Sequence, residues 1–224
     1  MKTGTRHSIH VIFLVISFSL LLTTCTLSSE TTETPQSPFS PPSNPFGDGG
    51  FLSESPCAYP CFYGITPGET TEKEAIAILN DRDTPFKDCK SFNNSSEGGD
   101  RGITCQYCGF TFEKGFVVSV GFRPNEKIEV SQIIEKIGEP DRLIPFSISL
   151  PEYPMEGQYI LCFDQPRISI WLPIIKGSIY NISSLSIVES INYGTDEAYR
   201  GGGCSMISVS IEWEGYGDYP IQRN

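Results

Sequence analysis

Apolar and polar positions divide this chain into three stretches. Residues 11–22, "VIFLVISFSLLL", are a predominantly apolar run of twelve, interrupted only by Ser17 and Ser19. Residues 26–56 hold few apolar side chains. From about Pro56 the apolar positions recur at short periods that switch between helical and strand-like spacing. "GITPGETTEKEAIAILN" predicts a turn at Pro67-Gly68 and then a helix ending near Asn80. Thr71, with Glu74 three residues on, fits a capping box, and Ala75, Ile76, Ile78 and Leu79 supply the apolar side. "NDRDTP" and the polar, Gly-rich "CKSFNNSSEGGDR" (89–101) predict loops. "GFTFEKGFVVSVGF" alternates on both sides of Lys114-Gly115 and predicts a hairpin. "EVSQIIEKI" predicts a second helix, with Ile133, Ile134 and Ile137 on one face. Strands follow at "LIPFSI", "GQYILCF", "RISIWLP", "SLSIVESI" and "SMISVSIEW". In the last, Ile207, Val209 and Ile211 alternate with polar residues, which suits an antiparallel sheet with one wet face. The fold class that follows is α+β: two short helices packed on antiparallel sheet. A helix followed by strands occurs twice, at about 64–123 and 124–213, which suggests two tandem repeats.

The N-terminal stretch has a different purpose. Lys2, Arg6, His7 and His10 precede the apolar run, which is too short for a bilayer-spanning helix of about 20 residues and suits a signal peptide over 1–24. It ends in "LLTTC", which resembles the lipobox of bacterial lipoproteins, with Cys25 as the acylated first residue of the mature chain. Thr24 stands where that pattern prefers a smaller residue. Secretory cleavage nearby, or an uncleaved anchor, is the other outcome. Of residues 26–56, 17 of 31 are Ser, Thr or Pro and none is Lys or Arg, so 25–56 is expected to be a disordered, lipid-anchored stalk. Its reach as a flexible chain is about 30 Å. The expected location is therefore the cell membrane or outer face of the envelope, extracytoplasmic, with the membrane as a partner through the lipid.

Removing residues 1–24 changes the charge. That stretch holds two basic and no acidic residues, so 16 − 2 = 14 basic against 27 acidic side chains leaves −13. Such a surface repels nucleic acid and anionic headgroups, and no nucleic-acid partner is expected. Both histidines go with the signal, so a mature chain has no Ser-His-Asp or Cys-His catalysis and no His-ligated metal.

Seven cysteines lie beyond Cys25: Cys57, Cys61, Cys89, Cys105, Cys108, Cys162 and Cys204. Behind an export signal they are disulfide candidates, and an odd number leaves at least one unpaired within the chain. On an extended strand, 105 and 108 would lie about 10 Å apart, beyond bridging distance. Unless a turn forms there, each needs a distant partner: Cys89 across the polar loop, or Cys57 and Cys61. Cys162 and Cys204 pair or are buried singly. A four-thiolate zinc site from Cys57, Cys61, Cys105 and Cys108, and a redox C-x-x-C, are the competing uses; export opposes the first and the strand-like context the second.

Gly138-Glu139-Pro140-Asp141 interrupts the pattern at the end of the second helix. Gly suits a C-cap at positive φ, Pro140 prevents the helix from resuming, and the two acids need only water. "IIEKIGEPDRL" resembles the helix-to-strand motif of the SmpA/OmlA family of bacterial outer-membrane lipoproteins and of related β-lactamase-inhibitor-like modules. "GITPGETTEKEAIAIL" resembles the helix-opening half of the same motif. The whole layout over about 61–213 looks like a group of bacterial envelope lipoproteins of Chloroflexota type. The resemblance implies helix-then-strand repeats and an envelope role, and it implies no catalytic residue.

The remaining chemistry is diffuse. Asp164, Glu189, Asp196, Glu197, Glu212, Glu214 and Asp218 supply carboxylates, but spacing alone does not converge any two for acid–base work. Asp81 and Asp83 begin like a calcium loop that Pro85 and Phe86 then break. "GTDEAYRGGG" is a Gly-rich loop lacking the Lys and context of a phosphate site. Trp213, Tyr216 and Tyr219, set among glycines, are candidates for partner binding, or else cap the core. Asn93, Asn94 and Asn181 stand in N-x-S sequences. The expected function is a non-catalytic binding or envelope-assembly module with a protein or glycan partner and no cofactor or metal. The alternatives are an exported hydrolase using a carboxylate pair, or an inhibitor-like protein that binds an enzyme.

Overall fold

A computed structural model describes residues 44–93, 101–148, 156–177, 179–201 and 203–220. The expected signal segment, Cys25 and the first part of the expected stalk lie outside them. The chain is α+β. Helix α1 spans Glu72–Asn80 and is followed by β1 (Lys90–Asn93), β2 (Arg101–Thr104), β3 (Cys108–Glu113) and β4 (Phe116–Phe122). Helix α2 spans Val130–Ile137 and is followed by β5 (Arg142–Ile148), β6 (Glu156–Phe163), β7 (Ile168–Trp171), β8 (Ile175–Lys176), β9 (Ile179–Ile182) and β10 (Ser190–Gly194). A third helix, α3 (Asp196–Gly201), then leads through 3-10 turns at Gly203–Ser205 and Ile207–Val209 to β11 (Ile211–Glu212) and β12 (Gly217–Pro220). No described helix is long and apolar enough to cross a membrane.

The main sheet runs β1-β2-β3-β4-β10-β7-β6-β5-β11, with β8 pairing on β6; β12 and β9 form a separate two-stranded sheet. All its pairs are antiparallel. One row of register partners crosses the nine strands: Lys90, Thr104, Gly109, Gly121, Asn192, Ser169, Cys162, Arg142, Glu212. Because strand side chains alternate, this row and its i±2 neighbours share one face. The opposite face carries Phe110, Phe112, Val117, Val120, Phe122, Leu143, Leu161, Phe163, Ile168, Ile170 and Ile191, all buried in the main core.

Both helices bury their apolar stripes in that core. Thr71 caps α1 as the spacing predicts: the Glu74 amide donates to its hydroxyl and its own amide donates to Glu74 Oε2 at 2.9 Å. Ala75 and Leu79 are buried, while Ile76 points outward. Val130 and Ile133 of α2 are fully buried. Gly138 ends α2 at φ 90°, ψ −177°, a conformation open to Gly alone, and its amide donates to the Ile134 carbonyl. Pro140 is buried, and Asp141 is not merely solvated: its carboxylate accepts the Asp164 amide at 2.6 Å. The turn therefore clamps the start of β5 to the end of β6.

Five expectations are corrected, the first at "GTDEAYRGGG", where Asp196–Gly201 forms helix α3 in place of a Gly-rich loop. Residues 44–56, assigned to the stalk, belong in part to the core: Phe46 and Phe51 are 3% and 2% exposed. The Asp48 carboxylate folds this segment by accepting the Gly50 and Leu52 amides, each at 2.9 Å, and the Ser53 hydroxyl at 2.8 Å. Composition averaged over 31 residues hid two aromatics in a turn-forming Gly-rich frame. The polar loop 89–101 contains β1, and Arg101 begins β2. "SMISVSIEW" is 3-10 turns and a two-residue strand, because this segment packs across the sheet instead of extending it. "SLSIVESI" makes one bridge at Ile187, and the strand itself starts at Ser190.

Candidate functional site

The face opposite the main core is built differently on its two sides. Over β5 and β6 it carries a buried apolar cluster. Ile144, Ile160 and Cys162 form a second, smaller core with Cys204, and Trp171, Tyr199, Met206 and Val209 pack around it. The segment 196–209 covers this side. It is held by the Cys162–Cys204 disulfide, by Arg142 Nη2 donating to the Cys204 carbonyl at 3.1 Å, and by the Tyr199 hydroxyl donating to Asp164 at 3.0 Å. Arg142 Nη1 also donates to Asp164 at 2.5 Å.

Over β2, β3, β4 and β10 the same face is open and polar. Gly109, Thr111, Ser119, Gly121, Ser190 and Asn192 form its floor, and Gln106, Tyr107 and Arg123 rim one end of a trough of about 510 Å³. Gly121 leaves room for the Asn192 carboxamide: a Cβ there would lie 2.2 Å from Asn192 Oδ1, so the side chain would have to turn aside. The trough shares Ser119 and Asn192 with a smaller cavity of about 180 Å³ that runs under α3, lined also by Ser169, Trp171, Ala198, Tyr199 and Gly203. The Ser119 hydroxyl donates to Thr111 Oγ1 at 2.9 Å. Ser169 is 8% exposed, and neither its hydroxyl nor the Asn192 carboxamide has a hydrogen-bond partner among the described residues. Both groups reach solvent through the cavity, since the buried side-chain atoms left without a partner among the described residues are Arg142 Nε and Trp213 Nε1, so they can meet a ligand in place of water. Sequence reading missed this site. Its one signal is that the outward positions of "GFTFE" and "VVSVGF" are Gly, Thr and Ser, not the Lys and Glu of an ordinary wet face.

The aromatics chosen from sequence take a different position. Trp213 stacks on Tyr219 with ring centroids 6.1 Å apart and meets Tyr216 edge-on at 5.7 Å. Tyr219 is buried, packs on Tyr159, and donates to the Gly215 carbonyl at 2.6 Å. Tyr216 alone is well exposed, at 47%. The group closes the end of the main core, and of the three only Tyr216 presents a largely exposed ring.

The cysteines form Cys57–Cys61, Cys89–Cys105 and Cys162–Cys204. Cys89 thus staples the polar loop, as the distance argument allows, while Cys57 and Cys61 pair with each other and leave no four-thiolate set. Cys108 is a free thiol buried in the main core, where burial pushes its pKa up to about 12. Among the described residues no group of three or more His, Cys, Asp or Glu could hold a metal.

Two of the carboxylates, Asp196 and Glu197, line one cavity of about 350 Å³ beside Arg167, and the others are dispersed. Asp164 meets Arg142 and Tyr199, Glu189 meets Arg123, Asp196 meets Arg167, and Asp218 accepts from Asn181. Glu212 and Glu214 are exposed. Burial acts to raise the Asp164 pKa, but hydrogen bonds from Arg142 and Tyr199, with the Arg142 charge, bring it below the usual range. Asp48 is likewise lowered: the amides and hydroxyl it accepts outweigh its burial. A general acid needs the opposite shift. Compared with protein-family models, curated proteins and solved structures, the chain gives no match.

Proposed function

We propose that this chain is an exported, membrane-tethered module without catalytic activity of its own, which binds an envelope partner on the open polar half of its sheet. The observation that carries this reading is the trough with its unpaired Ser169 hydroxyl and Asn192 carboxamide. These groups meet solvent in the cavity and are spoken for by no protein partner among the described residues, so a ligand with hydroxyl or amide groups can replace the water there at little cost. The lipobox-like "LLTTC" supplies the tether, and the histidine-free chain after residue 24 narrows the catalytic options. The envelope-assembly variant of this reading uses the same face with a protein partner.

The test is a Ser119→Trp variant, which fills the trough from its floor. The full chain and the variant are compared for retention by envelope material of the source cell after lipid-mediated attachment has been removed by detergent. Loss of retention with an unchanged unfolding temperature supports the reading. Equal retention, or turnover of any envelope substrate by the pure protein, overturns it.

A further inference from the structure

The chemistry of the trough's closed end restricts what it can hold. No charged side chain lines that end, and in the wider trough the one ionised residue on the rim, Arg123, faces Glu189 at 3.7 Å. On a chain of net charge −11 an anionic ligand is repelled, and a cationic one finds no carboxylate in the lining. An apolar ligand would leave the Ser169 hydroxyl and Asn192 carboxamide unpaired and dry. A peptide adding as a strand needs a free backbone edge, and β3, β4, β10 and β7 are each paired on both sides. What remains is a neutral ligand dense in hydroxyl groups, with a ring face that can lie on small floor residues and on an indole.

Resting on the binding-face reading, we propose that the closed end holds one ring of a neutral glycan whose chain continues along the open trough. Asn192 supplies two donors and an acceptor, Ser169 a donor and an acceptor, and Ser119, whose proton goes to Thr111, an acceptor. Trp171, half-buried beside Gly203, provides the aromatic wall: a Cβ on Gly203 would come within 3.0 Å of its ring. Tyr107 stands at the open end, where a later ring of the chain would pass. Aromatic walls and paired amide and hydroxyl groups match a pyranose, which has apolar faces and a polar rim.

The experiment uses the full chain in a detergent without a sugar head group. Tetraacetylchitotetraose, cellotetraose, maltotetraose and mannotetraose are titrated to about 10 mM, and the two indole N–H resonances are followed by NMR. At least one tetrasaccharide is expected to shift the Trp171 indole and leave that of Trp213 in place. Asn192→Leu keeps the volume and removes the hydrogen bonds, and Ser169→Leu fills the cavity. Each should weaken binding about tenfold or more with the unfolding temperature held. No shift of Trp171 with any of the four sugars, binding that survives Asn192→Leu, or binding in the trough of a neutral tetrapeptide used as control overturns the inference. If sugars fail while Ser119→Trp still abolishes envelope retention, the glycan class is wrong and the binding face stands. If both fail, the face itself is wrong.

Discussion

Removing the disulfides one at a time should rank them by the loop each closes. The sequence separations are 4 for Cys57–Cys61, 16 for Cys89–Cys105 and 42 for Cys162–Cys204. Cross-linking restricts the unfolded chain by an entropy that grows with the logarithm of loop length, which gives about 2, 3 and 4 kcal/mol respectively. Native domains have only about 5–15 kcal/mol in total, so the last bridge is a large share of what holds this one together. Paired Cys→Ala variants are unfolded in urea. With an m-value of about 2 kcal/mol per molar, Cys162→Ala with Cys204→Ala should lower the midpoint by about 2 M, and Cys57→Ala with Cys61→Ala by about 1 M. Burial strengthens the ranking, because Cys162 and Cys204 sit in the smaller core at 0% and 2% exposure. Equal shifts for the shortest and longest loops, or a larger one for Cys57–Cys61, would refute the entropic ranking.

Further outcomes follow from single contacts. Phe46→Ala or Phe51→Ala should cost about 3–5 kcal/mol in equilibrium unfolding, and a surface-like cost below about 0.5 kcal/mol would return this segment to the stalk. Gly138→Ala forces a side chain into a Gly-only conformation and should cost about 1–3 kcal/mol by the same assay; no cost would contradict the cap. Cys108, with its pKa pushed up to about 12, should resist iodoacetamide at pH 8 in the folded protein and react in denaturant, as read by mass mapping of its peptide. Asp164 has a lowered folded pKa, so its contribution is complete above the ordinary carboxylate range and is lost as pH falls through the folded value. Asp164→Asn should therefore flatten the acid limb of the stability profile, and an unchanged limb would count against its pairing with Arg142.

How much was legible in sequence depended on how local the cause was. The Thr71–Glu74 box, the Gly138 stop and the Lys114-Gly115 hairpin are set by residues within a few positions of one another, and each stands where the pattern puts it. The segment 205–213 misled because alternation records only which side chains are apolar, and here Met206 and Val209 cover Ile144 and Ile160 from above. β1 was obscured by a polar sequence; its neighbour Cys89 is joined to Cys105, and its register is given by β2. The trough was invisible for a plainer reason. Gly109, Gly121, Ser169 and Asn192 lie far apart along the chain, and only the register of β3, β4, β10 and β7 aligns them.

The position of β10 sets the order in which the sheet can be completed. A chain emerges N-terminus first, and β1 to β4 are available once Phe122 has appeared. The neighbour of β4 starts only at Ser190, 190 − 122 = 68 residues later. Throughout that interval the later part of β4, from Val118 to Phe122, presents an unpaired backbone edge, the feature that invites pairing with another copy; its first residues already pair with the segment before α1. The sheet therefore stays half-built during synthesis until its middle strand arrives. Chains cut short before Ser190 would carry that exposed edge permanently, so aggregation, not a smaller folded product, is their expected fate.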